Sequence, residues 1–244
     1  MFSYLTRSED ISEARLHLER AGLGCFGREW LTENIWRLLF RLIAHSWPER
    51  IDIGKSWDIQ QVIGIIKKGW VGKSAKILDA GCWNSEILQT LYRAGFRNLW
   101  GCDLNPLVHW QRRFWKTRYS IQDITATNYP NRIFEMVTCL SVIEHGVDIE
   151  QFFVEMSRII ASGGYLLLTF DYYPESIDTE GITAFGLPWH IFDNHDVGQM
   201  LKAAQALGFF PIDRVRLPEK IPSPVSWHGR SYTVGFLGLK KADN

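Results

Sequence analysis

Apolar residues along this chain follow two different periods, and the switching between them outlines the fold. Ile77-Leu78, Leu99-Trp100, Met136-Val137 and Leu166-Leu167-Leu168 are runs of consecutive apolar positions, the mark of strands covered on both faces. Between them the apolar residues return at helical spacing. The pattern predicts strand 75–80, helix 84–94, strand 98–102, helix 105–118, strand 119–122, strand 134–140, helix 149–160 and strand 164–170. A last helix, 194–207, has Asp193 or Asn194 as its cap. It is followed by strands 209–217 and 231–240, joined by the loop Pro218 to Arg230. Strands alternating with helices imply an α/β fold, a doubly wound parallel sheet.

Upstream, residues 9–21 read as a short charged helix with Ile11, Ala14, Leu18 and Ala21 on one face, broken by Gly22-Leu23-Gly24. A longer helix is predicted from Glu29 to His45. Its aromatics lie all round, so it packs on more than one side, against the main domain or a second subunit. Arg37 and Arg41 on it are four residues apart, either a solvated pair or a grip for an anionic substrate group. A third helix carries Ile59, Val62, Ile63 and Ile66, with Ser56 or Asp58 as N-cap. The chain thus divides into an N-terminal helical extension or lid, 1–72, and a main domain, 73–244, with a homodimer through the N-terminal helices as one expectation.

Charge narrows the partners. Lysine and arginine total 27, as do aspartate and glutamate, so the chain lacks the basic excess of a nucleic-acid binder. No apolar run reaches the length of a membrane span. The residues after Met1 do not form a signal-peptide core. Cys25, Cys82, Cys102 and Cys139 show no CxxC or paired spacing, so reduced thiols in a cytoplasm are expected. Eleven tryptophans point to a packed core or an aromatic-rich pocket.

The chemistry gathers where the predicted strands end. Lys76-Ile77-Leu78-Asp79-Ala80-Gly81-Cys82-Trp83-Asn84-Ser85 is a strand, a tight turn and a helix start, the place where such sheets hold nucleotide-like ligands. About twenty residues on, Asp103 ends the second strand, where an acid can accept from both hydroxyls of a ribose. Asp123 follows the third. Ser141-Val142-Ile143-Glu144-His145 follows the fourth, and Gly163-Gly164 opens the fifth.

This ordered set resembles the class I S-adenosylmethionine-dependent methyltransferases, most clearly over residues 73 to 170. The resemblance implies a Rossmann-like, seven-stranded sheet whose last strand runs antiparallel, and S-adenosylmethionine as cofactor. It implies that Asp79 orients the methionine ammonium and that Gly81 lets the backbone approach. Asp103 would bind the ribose, with Leu104 against the adenine. Asp123 and Ile124 would flank the adenine amino group, and Leu140 and Ser141 the methionine portion. On the residues alone, Asp103 could instead cap the following helix and Asp123 could be a turn acid. Trp83 and Ser85 stand where the family commonly has further glycines, so the Trp83 ring either stacks on the cofactor or obstructs it. Trp57 is a lid residue or a core plug.

Methyl transfer needs in-line alignment and, for a hydroxyl or protonated amine, a base. His190 and His145 are the first candidates, Asp171 and Tyr172 the second. Glu144-His145 also resembles the metal-binding ExxEH of ubiquinone-pathway and small-RNA methyltransferases. Here Ser141 replaces the first acid, and two ligands, even joined by His190 or His195, make a poor cage, so no metal is expected. The region from Asp171 to Trp189 is long for a connection, as functional loops are. The expected activity is methylation of a small-molecule or sugar hydroxyl or amine by a cytoplasmic biosynthetic enzyme. A non-catalytic assembly protein and an RNA 2′-O-methyltransferase are the alternatives.

Overall fold

The computed structural model describes residues 1–24, 53–83, 85–110 and 117–243. The helix expected over 29–45, with Arg37 and Arg41, lies outside the described residues, as do Cys25 and Asn84. Eleven strands appear among the described residues: β1 (Phe2–Tyr4), β2 (Lys76–Ala80), β3 (Asn98–Asp103), β4 (Arg118–Ile121), β5 (Phe134–Leu140), β6 (Ile160–Tyr172), β7 (Thr183–Ala184), β8 (Leu187–Pro188), β9 (Phe209–Pro211), β10 (Val225–Trp227) and β11 (Arg230–Lys241). The α-helices are α1 (Glu9–Arg20), α2 (Ser56–Lys67), α3 (Ile87–Arg93), α4 (Ile149–Ile159) and α5 (Asn194–Ala206).

Nine strands form one sheet in the order β1-β11-β6-β5-β2-β3-β4, with β9 and β10 also paired to β11. Strands β2 to β6 pair in parallel, and β11 enters antiparallel to β6. The expected doubly wound sheet with an antiparallel last strand is therefore present, but with nine strands where seven were expected, because β1, β9 and β10 all pair with β11. The continuous apolar runs of the sequence split by alternation. Leu78, Val137, Leu166 and Leu168 face the cluster made with Phe152, Phe153 and Met156 of α4 and Val197 and Met200 of α5. Ile77, Met136 and Leu167 face the other cluster, with Val62 and Ile66 of α2 and Ile87 and Leu91 of α3. Each strand thus feeds both layers.

Several boundaries differ from the sequence expectation. The helix expected over 105–118 begins as a 3-10 turn, Pro106–Trp110, held where Asn105 Oδ1 accepts from the Leu107 N–H at 2.9 Å. Residues 111–116 are outside the described set, and Arg118 already belongs to β4, paired with Trp100. The helix expected from 84 starts at Ile87, because Ser85 and Glu86 still belong to the turn after β2. Neither Ser56 nor Asp58 caps α2; Lys55 flanks it, and both residues are buried inside its first turn. Asp193 does cap α5, in a reciprocal capping box with Asp196. The gap expected between helix 149–160 and strand 164–170 is absorbed into a longer β6, across a register shift in β5 between Phe134 and Met136. Glu135 points out and accepts from the Lys76 N–H at 2.6 Å.

The outer edge of β11 was not foreseen. The strand expected over 209–217 stops at Pro211, having paired only with Leu239, Lys240 and Lys241. Residues Phe2 to Tyr4 take the rest of that edge, opposite Leu237, Phe236 and Gly235. Gly238 is the junction: its N–H donates to Met1 O at 2.8 Å and its carbonyl accepts from Ile212 at 3.0 Å. The segment expected as an extension therefore contributes a strand to the sheet as well as α2 to its core.

Beyond the strand, Leu5 is buried, and its carbonyl accepts from the Thr233 hydroxyl at 2.5 Å with Thr233 fully buried. Thr233→Val keeps the shape and leaves that carbonyl unsatisfied. It should lower stability by about 1–2 kcal/mol, read as a lower urea midpoint at unchanged m-value.

Candidate active site

The carboxyl ends of β2 and β3 are tied together by backbone. Gly81 leaves β2 with φ +77°, and a β-carbon there would collide with the side chain of Val142, so only glycine fits both the conformation and the space. The N–H groups of Gly81 and Cys82 both donate to Cys102 O, at 2.8 and 3.0 Å. Asp103 then closes the turn: Oδ2 accepts from the Trp83 N–H at 2.9 Å and Oδ1 from the Asn105 N–H at 2.8 Å. Its carboxylate thus fixes two turns at once, and each oxygen retains capacity for a further donor. Leu104 beside it is 60% exposed, and Ile124 is buried after β4. Asp123 serves its own turn, with Oδ1 accepting from the Thr125 N–H and hydroxyl at 2.9 and 2.7 Å. The Trp83 ring is partly buried and packs on the apolar cluster of α2 and α3. Ser85 accepts from the Ile87 N–H, at 3.4 Å, at the entry to α3.

Asp79 sits beneath this turn, 1% exposed. Its Oδ1 accepts from the Thr138 hydroxyl at 2.7 Å, while Oδ2 is buried with no partner among the described residues. A buried carboxylate oxygen without a donor is a costly arrangement that a bound ammonium group relieves. Together with the open face of Leu104 and the spare acceptor capacity of Asp103, it makes these residues a fit for an amino-acid-bearing nucleoside.

The second half of the site lies across the ends of β5 and β6. Asp58, from α2, reaches over the sheet: its Oδ2 accepts from the Ser141 hydroxyl at 3.1 Å and the Thr169 hydroxyl at 2.9 Å. Ser141 holds φ +52°, unusual for a residue with a side chain, and its N–H donates to Thr169 O and Oγ1, both at 3.0 Å. Lys55 donates to the carbonyl of Leu140 at 3.0 Å. Trp57 is 7% exposed within the α2 cluster, so its ring packs the core. Sequence patterning missed Lys55, Asp58 and Thr169. The one available signal was Asp58 itself, an acid in an otherwise apolar window.

The base candidates separate clearly. Tyr172 is wholly buried, and its hydroxyl donates to Asn194 Oδ1 at 2.5 Å; it is a packing residue, since alternation turns it into the core. The His190 ring is half exposed and paired through Nε2 with Asp196 at 2.8 Å, in the cap of α5. His145 is half-buried, with Nδ1 unpartnered among the described residues. Asp171 is 8% exposed, and its Oδ2 accepts from Trp189 Nε1 at 2.8 Å. Glu144, 1% exposed, has Oε2 without a partner among the described residues, and its carbonyl accepts from the His190 N–H at 2.9 Å.

Burial sets the protonation of this group. It raises Asp171 to about 7, against the pull of Trp189, Tyr232 and Lys55. It raises Glu144 well above the usual carboxylate range, with Asp171 adding to the effect. It raises Asp79 to about 6, opposed by the Thr138 hydroxyl and Lys55. For His145 the same burial works in the other direction, helped by Lys55, lowering it to about 4. At neutral pH the imidazole is uncharged and Asp171 is poised between its two forms.

A folded-state carboxyl raised above its unfolded value loses stability as pH rises through the folded pKa. Asp171→Asn removes that loss. Its stability relative to the unmodified chain should therefore increase from about pH 4 to about pH 7 and level off above, as read from urea midpoints at each pH; a constant offset would show that Asp171 does not titrate there.

Residues 78–168 match the model of a methyltransferase domain. The chain is 25% identical over 156 residues to the eEF1A lysine and N-terminal methyltransferase of Danio rerio, covering 58% of this chain. It spans about a fifth (21%) of that relative's length. A putative sarcosine dimethylglycine methyltransferase from Galdieria sulphuraria superposes with a TM-score of 0.60 at 12% identity, covering 85% of this chain and 98% of that one. The geranyl diphosphate C-methyltransferase of Streptomyces coelicolor, solved with S-adenosyl-L-homocysteine, gives 0.57 at 13% identity, covering 76% and 84%. The cyclase SpnF gives 0.58 at 14% identity, covering 78% and 83%, so the fold by itself does not fix the reaction. The strand-end motifs and the sheet order agree with the matched domain: residues 78–168 are similar to a methyltransferase domain, set in an α/β sheet of the kind these solved structures share.

Proposed function

We propose that this enzyme methylates a hydroxyl or amine of a small molecule, a specialised metabolite or sugar, in a cytoplasmic biosynthetic setting. The observation carrying this reading is the covered polar floor beside the cofactor end of the sheet. Asp171, Glu144 and His145 lie under a folded connection, 173–193, stitched down through the bonds of Trp189 and His190. Such an enclosed floor suits a compact acceptor, and a chain of balanced charge lacks the basic field that a nucleic acid would require.

S-adenosylmethionine supplies an activated methyl group; the chain supplies placement and a proton acceptor. Asp103 and Leu104 would hold the nucleoside, Asp79 the ammonium of its amino-acid portion. Asp58, by fixing the ends of β5 and β6, keeps Leu140 and Ser141 at the methionine side. Of the two groups able to take a proton, Asp171 is the better matched. Its value near 7 lies at the working pH, where base catalysis is most effective, whereas His145 near 4 is too weak to retain a proton. Asp171 would therefore take the acceptor's proton as the methyl group is transferred, the electron pair of the broken carbon–sulfur bond remaining on the donor's sulfur. His145, neutral throughout, lines the floor.

The Danio rerio relative's name points to a second acceptor, a lysine or N-terminal amine of a protein. A mixed assay distinguishes the two. Release of S-adenosylhomocysteine with small hydroxyls and amines, and not with peptides, supports the small-molecule reading; the reverse result replaces it.

Two variants test the assignments. Asp103→Ala should weaken S-adenosylhomocysteine binding at least tenfold by calorimetry, about 1.4 kcal/mol or more; unchanged affinity would remove Asp103 from the cofactor site. Asp171→Asn should lower kcat by about 10²–10⁴-fold while leaving cofactor affinity within about twofold of the unmodified enzyme. The unmodified enzyme's rate should rise with pH through a limb near 7, because the carboxyl must be ionised to act. A flat profile would move the base elsewhere.

A further inference from the structure

Within the 173–193 connection, β7 and β8 form a two-stranded hairpin with Thr183 opposite Pro188 and Ala184 opposite Leu187. Its two-residue tip is Phe185-Gly186, at φ +55° and +79°. Hairpin tips with both residues left-handed favour Asn-Gly or Gly-Gly. A phenylalanine there is strained, and strain of this kind persists where surrounding structure or function requires it.

The phenylalanine gains little from its own fold. Its ring is 72% exposed. The neighbouring cluster of Ala184, Trp189, Ile191 and Tyr232 is closed without it. Its one ring contact among the described residues is edge-on to His145, centroids 5.3 Å apart at 88°. The hairpin is also held at that spot. A β-carbon on Gly146 would lie 3.1 Å from Pro188 Cδ, and the His190 N–H donates to Glu144 O at 2.9 Å. A residue of strained backbone thus holds an exposed aromatic ring against His145, on a hairpin tied to Glu144. Leu187, 42% exposed, adds apolar surface on the same hairpin.

Resting on the acceptor site described above, we propose that Phe185 is a specificity-determining residue. Its ring forms an apolar wall of that site and selects acceptors whose methylated oxygen or nitrogen is borne on a planar, aromatic ring. An aromatic acceptor can meet the Phe185 ring in the offset or edge-on geometries that aromatic pairs favour, while a puckered aliphatic one gains only area.

The test compares matched acceptors, catechol against cyclohexanediol and aniline against cyclohexylamine, by S-adenosylhomocysteine release. The unmodified enzyme should prefer the aromatic member of each pair. In Phe185→Asn, a residue tolerant of the left-handed conformation, that preference should fall at least fivefold through KM, with kcat and S-adenosylhomocysteine affinity changing less than twofold and the urea midpoint rising. Phe185→Leu should lose the preference without the stability gain. An unchanged preference in both variants overturns the inference and leaves methyl transfer standing. If the unmodified enzyme methylates none of the four, saturation-transfer NMR of catechol on the S-adenosylhomocysteine complex decides. A catechol signal that the unmodified protein gives and Phe185→Asn does not sustains the inference; the absence of any signal with the unmodified protein overturns it. Failure of S-adenosylhomocysteine to bind at all would overturn the methyltransferase reading instead.

Discussion

The arrangement on which the site depends is a carboxylate that bridges three elements remote in sequence. Asp58 comes from α2, yet its oxygen receives the hydroxyls of Ser141 and Thr169, 83 and 111 residues away. The group is 2% exposed. Removing a carboxylate from water is expensive unless donors replace the lost hydration. Two hydroxyls in the right place meet that need, and they can do so only when α2 lies across the ends of β5 and β6. The requirement works in both directions. The sheet positions the acid, and the acid fixes Ser141 in its left-handed turn, from which the segment 141–145 departs toward the floor of the site. Lys55, one residue before α2, holds the same strand end through Leu140.

Crowding acids there has an electrostatic outcome. Asp79, Glu144 and Asp171 are all held above their usual values by burial, and Lys55 draws each of them down. The same Lys55 helps push His145 down. Burial thus reverses the ordinary ranking of the two groups: the carboxyl becomes the stronger base and the imidazole the weaker. From sequence alone a histidine is the natural first choice, because its unperturbed value lies nearest neutrality. Where the environment shifts both groups so far, residue type is a poor guide to role.

Much of the fold was legible because the strands are short, apolar and regularly spaced. The order β2, β3, β5, β6 and the helices α4 and α5 follow from alternation and from caps such as Asp193. In the candidate site, local geometry was legible where one residue does one local job: Gly81, whose conformation and space exclude a β-carbon, and Asp103, at the end of its strand. It was hidden where partners come from afar. Nothing near Phe2–Tyr4 shows that they complete an edge that β9 leaves open after Pro211. Nothing near Asp58 names Thr169. Tyr172 looked like a strand-end residue facing the ligand; a β6 two residues longer than expected at that end turns its ring into the core. The 3-10 turn after β3 was hidden for a different reason, because Asn105 and Pro106 suit the start of either helix type.

The shared edge of β11 also has a bearing on how the polypeptide matures. Residues 1–5 leave the ribosome well before the partners that order them, Thr233 to Gly238; Leu5 and Thr233 alone are 228 residues apart. Until then the earlier segment has no ladder to join, and the exposed flank of β6 awaits the same late strand. Contacts of such long separation are slow to close and leave sheet edges open in the meantime. These two distant segments can be laid side by side only once residues 233–238 have been made.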